Sequence, residues 1–537
     1  MRRFKAITAL ILVVMMVLPS VTPLYAQLPA RLSDRTNHIS QMGFFGGISE
    51  GVRLPGTTEI ILQQNDTSNR QNGNLQIENL MYTEMIWLAG QPVEWEGLMS
   101  VNIRNTTSGG RNASPNEGTR EVRYRVRNSD SSPEDLLIDR DIRFTVRWRR
   151  QGNQITETYT VAQNNHWSET ILVGDEAFLL DARQSHFEVS ILRDITPGVT
   201  YFTGDISMRA VYINDEGDTV VHTVIGEIFG YESAWSVTET QHLRGIVDFG
   251  FDQLQYEVVP SVSMNKDLQY APTQPNLISF DGNYREVMSN QSALMYVIRS
   301  KPDFLYGIPT TGRASISTFN SFEQLFAPDV SFLRGHWAYG DIRRLFAMEV
   351  LRGNPAHFQP NQGVSRGEFI TMLARAVKLP LDDTHLQEPR ADRRGVNPIA
   401  VIFPDVWHGR PDFPYIMAAN SSGIVVGRGA GHFQPDQIIH REEAYVIALR
   451  ALGLSNLGLS PTPITPFTDD HMVGDWARRD IYAAARIGLI APDENGMMHP
   501  RRDMHKAEAA ALINRLIEYM RHELQRDYTE NIVNFLN

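Results

Sequence analysis

The 537-residue sequence contains no cysteine. That absence excludes disulfides, thiolate metal sites and cysteine nucleophiles, so every domain must stand on its core alone. Lysine is nearly missing as well: it occurs at Lys5, Lys266, Lys301, Lys378 and Lys506, and the remaining positive charge is arginine. Arginine's planar fork suits carboxylate recognition, although a compositional bias explains the skew just as well. Basic residues are outnumbered 50 to 62, for a formal charge of −12. A nucleic-acid binder normally carries a basic footprint, so no nucleic-acid partner is expected. Metalloprotease, P-loop and dinucleotide fingerprints are absent, and neither a cofactor nor a metal site is expected.

What is present begins with an export signal. Arg2, Arg3 and Lys5 precede an apolar run from Ala6 to Leu18, and Leu24-Tyr25-Ala26 offers a cleavage site before Gln27. The run falls short of the roughly 20 apolar residues that span a bilayer, so residues 1–26 read as a signal peptide. No later run is long enough to cross, so no transmembrane segment is expected after cleavage.

Residues 27–320 have a period of two. Ile142, Phe144, Val146 and Trp148 alternate with Arg143, Thr145, Arg147 and Arg149, the mark of a half-buried strand. A turn at Gln151-Gly-Asn leads into Ile155–Val161, and a second hairpin turns at Asn214–Gly217 between Ile206–Ile213 and Thr219–Val224. These strands predict an antiparallel, sandwich-like β region of one or two domains. The arginines at 143, 147, 149 and 150 read first as a solvated sheet face and second as an anion or glycan site.

Short catalytic patterns here lack their context. Gly47-Ile-Ser49-Glu-Gly51 has nucleophile-elbow spacing without α/β alternation, and Ser263-Met-Asn-Lys266 lacks its Lys-Thr-Gly partner. The acidic turn of Asp215, Glu216 and Asp218 lacks calcium-loop spacing.

From about Phe326 the period becomes helical and the chain repeats itself three times. Phe358-Gln-Pro360 is followed by Arg366 and Glu368, Phe433-Gln-Pro435 by Arg441 and Glu443, and Met498-His-Pro500 by Lys506 and Glu508, at matched offsets. Asp329, Asp405 and Asp469 stand near the starts, and helical runs enter through Ile342, Ile416 and Ile481. Ser365-Arg-Gly-Glu368 is a capping box. Each repeat therefore predicts a helix (the first ending at Gly353), a loop and a capped helix, over 326–380, 400–455 and 464–520, with a helical tail at 521–537.

These repeats resemble S-layer homology domains, through Phe403-Pro-Asp405, Phe467-Thr-Asp469, Gly423-Ile424-Val-Val-Gly427, the two Phe-Gln-Pro runs and the three tetrads that hold Arg366, Arg441 and Lys506. The resemblance implies a helical pseudo-trimer made by one chain, binding secondary cell-wall polysaccharide, often pyruvylated, in grooves between repeats. It assigns Arg366, Arg441 and Lys506 to the ligand, with Trp337 and Trp476 on sugar faces, and leaves Ser365, Glu368, Glu443 and Glu508 as caps. A ketal carboxylate suits such arginines. The tetrads depart from the family in lacking its Thr, and the second repeat has Pro411 where Trp belongs. With Gly367 beside it and Trp337 upstream, Arg366 is expected to own the most complete groove.

The sequence thus predicts a multidomain, secreted, wall-anchored bacterial surface protein without catalytic residues. Its β region would be an array subunit, an adhesin or a docking module, with self-assembly or a surface protein as partner. The alternative is a tethered polysaccharide-acting enzyme.

Overall fold

The computed structural model describes residues 75–528, apart from internal stretches of which 106–115, 272–282, 301–309 and 382–390 are the longest. The signal peptide and the Gly47–Gly51 pattern lie outside the described residues, as does the tail beyond Tyr528. None of the described helices is long and apolar enough to cross a membrane.

Alternation produces strands throughout the first part. The strands are β1 (Leu75–Leu88), β2 (Gln91–Asn105), β3 (Glu117–Asn128), β4 (Leu136–Gln151), β5 (Gln154–Val161), β6 (Trp167–Val173), β7 (Glu176–Leu180) and β8 (His186–Ile195). They continue as β9 (Val199–Asn214), β10 (Thr219–Ser233), β11 (Ser236–Asp248), β12 (Gln253–Ala271), β13 (Asn283–Ser300), β14 (Thr310–Ser317) and β15 (Ser321–Leu325). All fifteen belong to one antiparallel sheet. β5 and β6 lie end to end along β4, and β8 and β7 end to end along β9, so the chain meanders up and down between neighbours. The hairpins expected at 151–153 and 214–217 are present.

One face of this sheet is dry. Trp95, Tyr124, Phe144, Phe187, Ile228 and Tyr256 belong to a single cluster built only from strand residues of β2 to β13. A sheet face buried by its own strands curls about it, and among the described residues this is the one cluster built from strands alone. Ion pairs are enclosed there: Glu157 takes Arg120 at 2.8 Å and Arg193 at 3.1 Å, and Glu169 takes Arg140 at 2.6 Å. Ser263 is half-buried and Lys266 buried, on opposite faces of β12, and Lys266 pairs with Glu286 at 3.0 Å, so the two form no dyad.

The second part consists of three helix pairs: α1 (Tyr339–Ala347) with α2 (Arg366–Ala376), α3 (Phe413–Ser421) with α4 (Arg441–Leu452), and α5 (Arg478–Arg486) with α6 (Lys506–Glu518). The first helix of each pair ends earlier than the glycine spacing suggested: α1 stops at Ala347, well before Gly353. The stop is a left-handed residue, which is Gly423 (φ 75) and Gly488 (φ 73) in two repeats and Glu349 (φ 56) in the first. A glycine that signals the stop in the other repeats is missing from the first, which hid it. The second helices begin at the tetrads, and Ser365 and Glu368 make both bonds of a capping box.

Packing exchanges the pairs. α2 lies against α3, α4 against α5, and α6 returns to α1, so each second helix packs on the first helix of the next repeat. The backbone closes the ring: Val364 N donates to Met504 O (2.9 Å), Met504 N to Ile439 O (2.9 Å) and Ile439 N to Val364 O (3.1 Å). The result is a pseudo-threefold prism with one apolar interior.

The β region sits on one end of this prism. The carbonyl groups at a helix C-terminus have no intrahelical partners, and here the β region supplies donors to the ends of α2 and α4 and to the turn that follows α6. Trp235 Nε1 donates to Ala376 O at 2.8 Å, Gly198 N to Ala451 O at 2.7 Å and Ser236 Oγ to Met520 O at 2.5 Å. Past α6 the chain makes a π-turn, Tyr519–Glu523, then Leu524–Asp527 as a last helical turn. Arg521 there donates to Lys266 O at 2.7 Å, and Tyr528 stacks on Tyr201 with centroids 5.8 Å apart. Val199, Tyr201, Tyr231, Trp235 and Leu268 are buried in the same cluster as the helices. Residues 521–528 of the expected tail are therefore a splice between the two parts.

Candidate functional site

The tetrads build a ring of alternating charge. Arg366 of the first repeat pairs with Glu443 of the second, Arg441 of the second with Glu508 of the third at 2.6 Å, and Lys506 of the third with Glu368 of the first at 2.9 Å. Backbone bonds repeat the rule: Arg366 N donates to Gln437 O, Arg441 N to Arg502 O and Lys506 N to Gln362 O. The three basic residues differ in access. The Arg366 side chain is 3% exposed, stacked over Phe433 at 4.6 Å and donating to Val426 O at 3.0 Å, whereas Arg441 is 12% and Lys506 20% exposed. Burial, with Arg428 nearby, lowers the Arg366 pKa to about 10. The caps differ too. Glu508 accepts from its own cap N–H at 3.0 Å, whereas Glu443 is held by Arg366 and Arg428.

The helix exchange also redistributes the tryptophans. Trp337 and Trp476 are both exposed. Trp337 precedes α1, which packs on α6, the helix that Lys506 opens. Trp476 precedes α5 and shares its groove with Arg441, beside which Glu442 accepts from Gly474 N at 2.9 Å. Gly367, beside Arg366, abuts Asp412 of the second repeat. A Cβ on Gly367 would meet Asp412 Oδ2 at 2.0 Å, which explains the glycine in that tetrad. The second repeat is not without an exposed indole: Trp407, four positions before Pro411, is open to solvent, with Arg410 stacked on it at 5.0 Å.

Between the first and second repeats lies a cleft of about 730 Å³, lined by Arg352, Ser365, Arg375, Arg410, Asp436 and Lys506 among others. Most of its charges are already spent. Arg410 grips Asp412 (2.9 and 3.0 Å) and Asp436 (2.8 and 2.9 Å), which holds the Asp436 carboxyl below its usual range.

Arg375 is the exception. Nine residues into each second helix stands an arginine: Arg375, Arg450 and Arg515. One residue before the entry isoleucine of the next repeat stands its partner. Arg450 faces Asp480 at 3.6 Å, and Arg515 acts on Asp341, whose carboxyl burial nonetheless raises above its usual range. In the second repeat that position is Tyr415. Arg375 lies over the Tyr415 ring at 4.8 Å, donates to its hydroxyl at 3.1 Å and to Val350 O at 3.3 Å, and has no carboxylate partner among the described residues. Aligning the three repeats beyond their tetrads could have found Arg375. Only the helix exchange identifies Tyr415 as the substituted partner.

The chain compares with known proteins in this part. The family model of the S-layer homology domain matches residues 333–370, 403–444 and 466–510. An amylopullulanase of Thermoanaerobacterium thermosulfurigenes is 29% identical over 228 residues, covering 41% of this chain and 11% of that protein. Exoglucanase XynX of Acetivibrio thermocellus is 28% identical over 193 residues, 35% of this chain and 16% of that protein. The S-layer protein sap of Bacillus anthracis is 27% identical over 187 residues, 35% of this chain and 20% of that protein. In each case the match spans a fifth or less of the relative's length. The C-terminal part of the chain carries three S-layer homology domains in tandem.

Proposed function

We propose that the protein is a bacterial cell-surface component held non-covalently to the wall by its three S-layer homology domains, with the β region displayed on the prism. The ligand is a wall polysaccharide bearing fixed anions, such as pyruvate ketals. The observation that carries this reading is Arg375, a guanidinium without a carboxylate in the cleft between the first two repeats, whereas Arg450 stands 3.6 Å from Asp480 and Arg515 acts electrostatically on Asp341. A ligand carboxylate there would complete the rule that Asp480 and Asp341 satisfy elsewhere, by a charge-assisted hydrogen bond. Lys506 and Arg352 line the same cleft. In this reading Arg366 and Arg441 chiefly hold the ring, and Trp337, Trp407 and Trp476 offer sugar-stacking faces at the groove mouths.

The role is one of binding and display. Within the cleft the carboxylates Asp412, Asp436 and Glu368 are each engaged by a cation, which suits recognition better than acid–base work. Relatives named as glycan-degrading enzymes share the anchor's resemblance, and for this chain the anchor is the part the comparison covers best.

The test is cosedimentation of the full chain with purified walls before and after chemical removal of their polysaccharide. Binding should be lost with the polymer; equal binding to stripped peptidoglycan would overturn the reading.

A further inference from the structure

We propose that the outer face of β3 and β4 is a second docking surface, for an anionic glycan chain that runs alongside the anchored protein. The face is made of arginine and hydroxyl groups. The outward positions of β3 carry Arg123, Arg125 and Arg127, and those of β4 carry Arg143, Arg147 and Arg149. Thr156, Thr158 and Thr160 continue the same face on β5, with Thr158 directly opposite Arg147.

The register places like charges together. Arg123 lies directly opposite Arg143, an arrangement that destabilises a sheet by itself. The outward acidic groups of the two strands are fewer than their six arginines: Asp139 stands opposite Arg127 and Glu117 opposite Arg149. Asp141 serves both Arg123, through a 2.8 Å bond from Nε, and Arg125 at 3.4 Å. Arg143 and Arg147 have no ion pair among the described residues; the carboxylate between them, Glu121, stands opposite Thr145. This excess of positive charge belongs to a chain whose net charge is −12, so it is a local feature against the overall field.

The composition of the face selects the partner. A protein–protein interface has an apolar, charge-depleted core with polar groups at its rim, and no apolar side chain interrupts this face between Arg143 and Arg149. Guanidinium forks with neighbouring hydroxyls match carboxylate or phosphate groups repeated along a flexible chain, where released counterions drive binding. An anionic glycan of the wall has that chemistry. The choice of a glycan rests on the proposed placement at the wall; the charge argument does not.

The probe is polygalacturonate, titrated into the full chain, with dextran as the neutral control. The wild type should bind polygalacturonate and not dextran, with an affinity that falls as salt rises. The triple variant Arg125→Gln/Arg143→Gln/Arg147→Gln should lose at least tenfold, keep its circular dichroism, and still cosediment with walls through the prism. Arg375→Ala should weaken cosedimentation with walls, which the triple variant keeps, and this difference separates the surface from the cleft. No polygalacturonate binding by the wild type, or wild-type binding in the triple variant, would overturn the proposal. So would the absence of polyanion binding with a self-association that the triple variant abolishes, since the face would then take a second copy.

Discussion

The indole N–H of Trp235, at the turn between two strands, donates to the carbonyl of Ala376, the last residue of α2, at 2.8 Å. Two residues 141 positions apart in sequence thus finish one helix from outside it. Gly198 N donates likewise to Ala451 O in the last turn of α4, and Ser236 Oγ to Met520 O in the π-turn after α6. The display region is therefore not strung from its anchor by a linker. It is set on the pseudo-threefold end of the prism through these bonds and a shared apolar cluster.

This coupling predicts a shared unfolding transition. Trp235 is 2% exposed, with its ring in the cluster that spans both parts. Trp235→Phe keeps most of the packing and leaves the Ala376 carbonyl unpaired, at a cost of about 1–3 kcal/mol; Trp235→Ala should cost about 3–5 kcal/mol. Denaturant titration followed by far-UV circular dichroism should show one transition in the wild type and a lower midpoint in both variants. Two well-separated wild-type transitions would refute the coupling.

Arg366 is expected to matter for stability more than for binding. Removing one member of a buried ion pair costs about 3–5 kcal/mol, and the low end applies because Arg428 still serves Glu443. Arg366→Ala should lower the thermal midpoint clearly, whereas Lys506→Ala, at the more exposed corner of the same ring, should lower it by little. Differential scanning calorimetry of the two variants distinguishes them; equal shifts would place Arg366 and Lys506 in the same role.

The sequence made the repeats, the hairpin turns and the tetrads legible because each is written in local spacing: two for strands, 3.6 for helices, fixed offsets for the caps. It hid what depends on exchange between repeats. The partner of Arg366 is Glu443 of the next repeat, and Trp337 precedes α1, which packs on α6 of the third repeat. A reading within each repeat put Arg366 and Trp337 together. The β core was hidden for a similar reason, because alternation marks which face of a strand is apolar but not what covers it.

His222 makes the β core sensitive to acid. It is buried, 2.6 Å from the Tyr256 hydroxyl, and burial with Arg140 nearby lowers its pKa from 6.5 to about 3. The folded protein keeps the ring neutral while the unfolded chain protonates it below about 6.5. Stability from this group is thus complete above pH 6.5 and falls as pH drops toward 3, by a few kcal/mol over that window. His222→Gln retains a partner for Tyr256 and does not titrate. Its urea midpoint should fall less steeply than the wild type's between pH 6.5 and 4; parallel curves would show that His222 does not carry the dependence.

Tyr415 gives the sharpest test of the cleft, because the molecule already contains the alternative. Tyr415→Asp would place in the second repeat the carboxylate that Asp480 and Asp341 provide in the other two. Arg375 would then be paired internally and no longer available, so affinity for the wall polysaccharide should fall about as far as in Arg375→Ala. Loss of a charge-assisted hydrogen bond of roughly 1.5–3 kcal/mol corresponds to about ten- to a hundredfold. The two variants should differ in stability: Tyr415→Asp gains an ion pair, whereas Arg375→Ala loses its contacts with Val350 and the Tyr415 ring. Calorimetric titration with purified polysaccharide, alongside thermal melts, reads both. A Tyr415→Asp protein that binds as tightly as wild type, while Arg375→Ala does not, would show that Arg375 acts through packing and not through its charge.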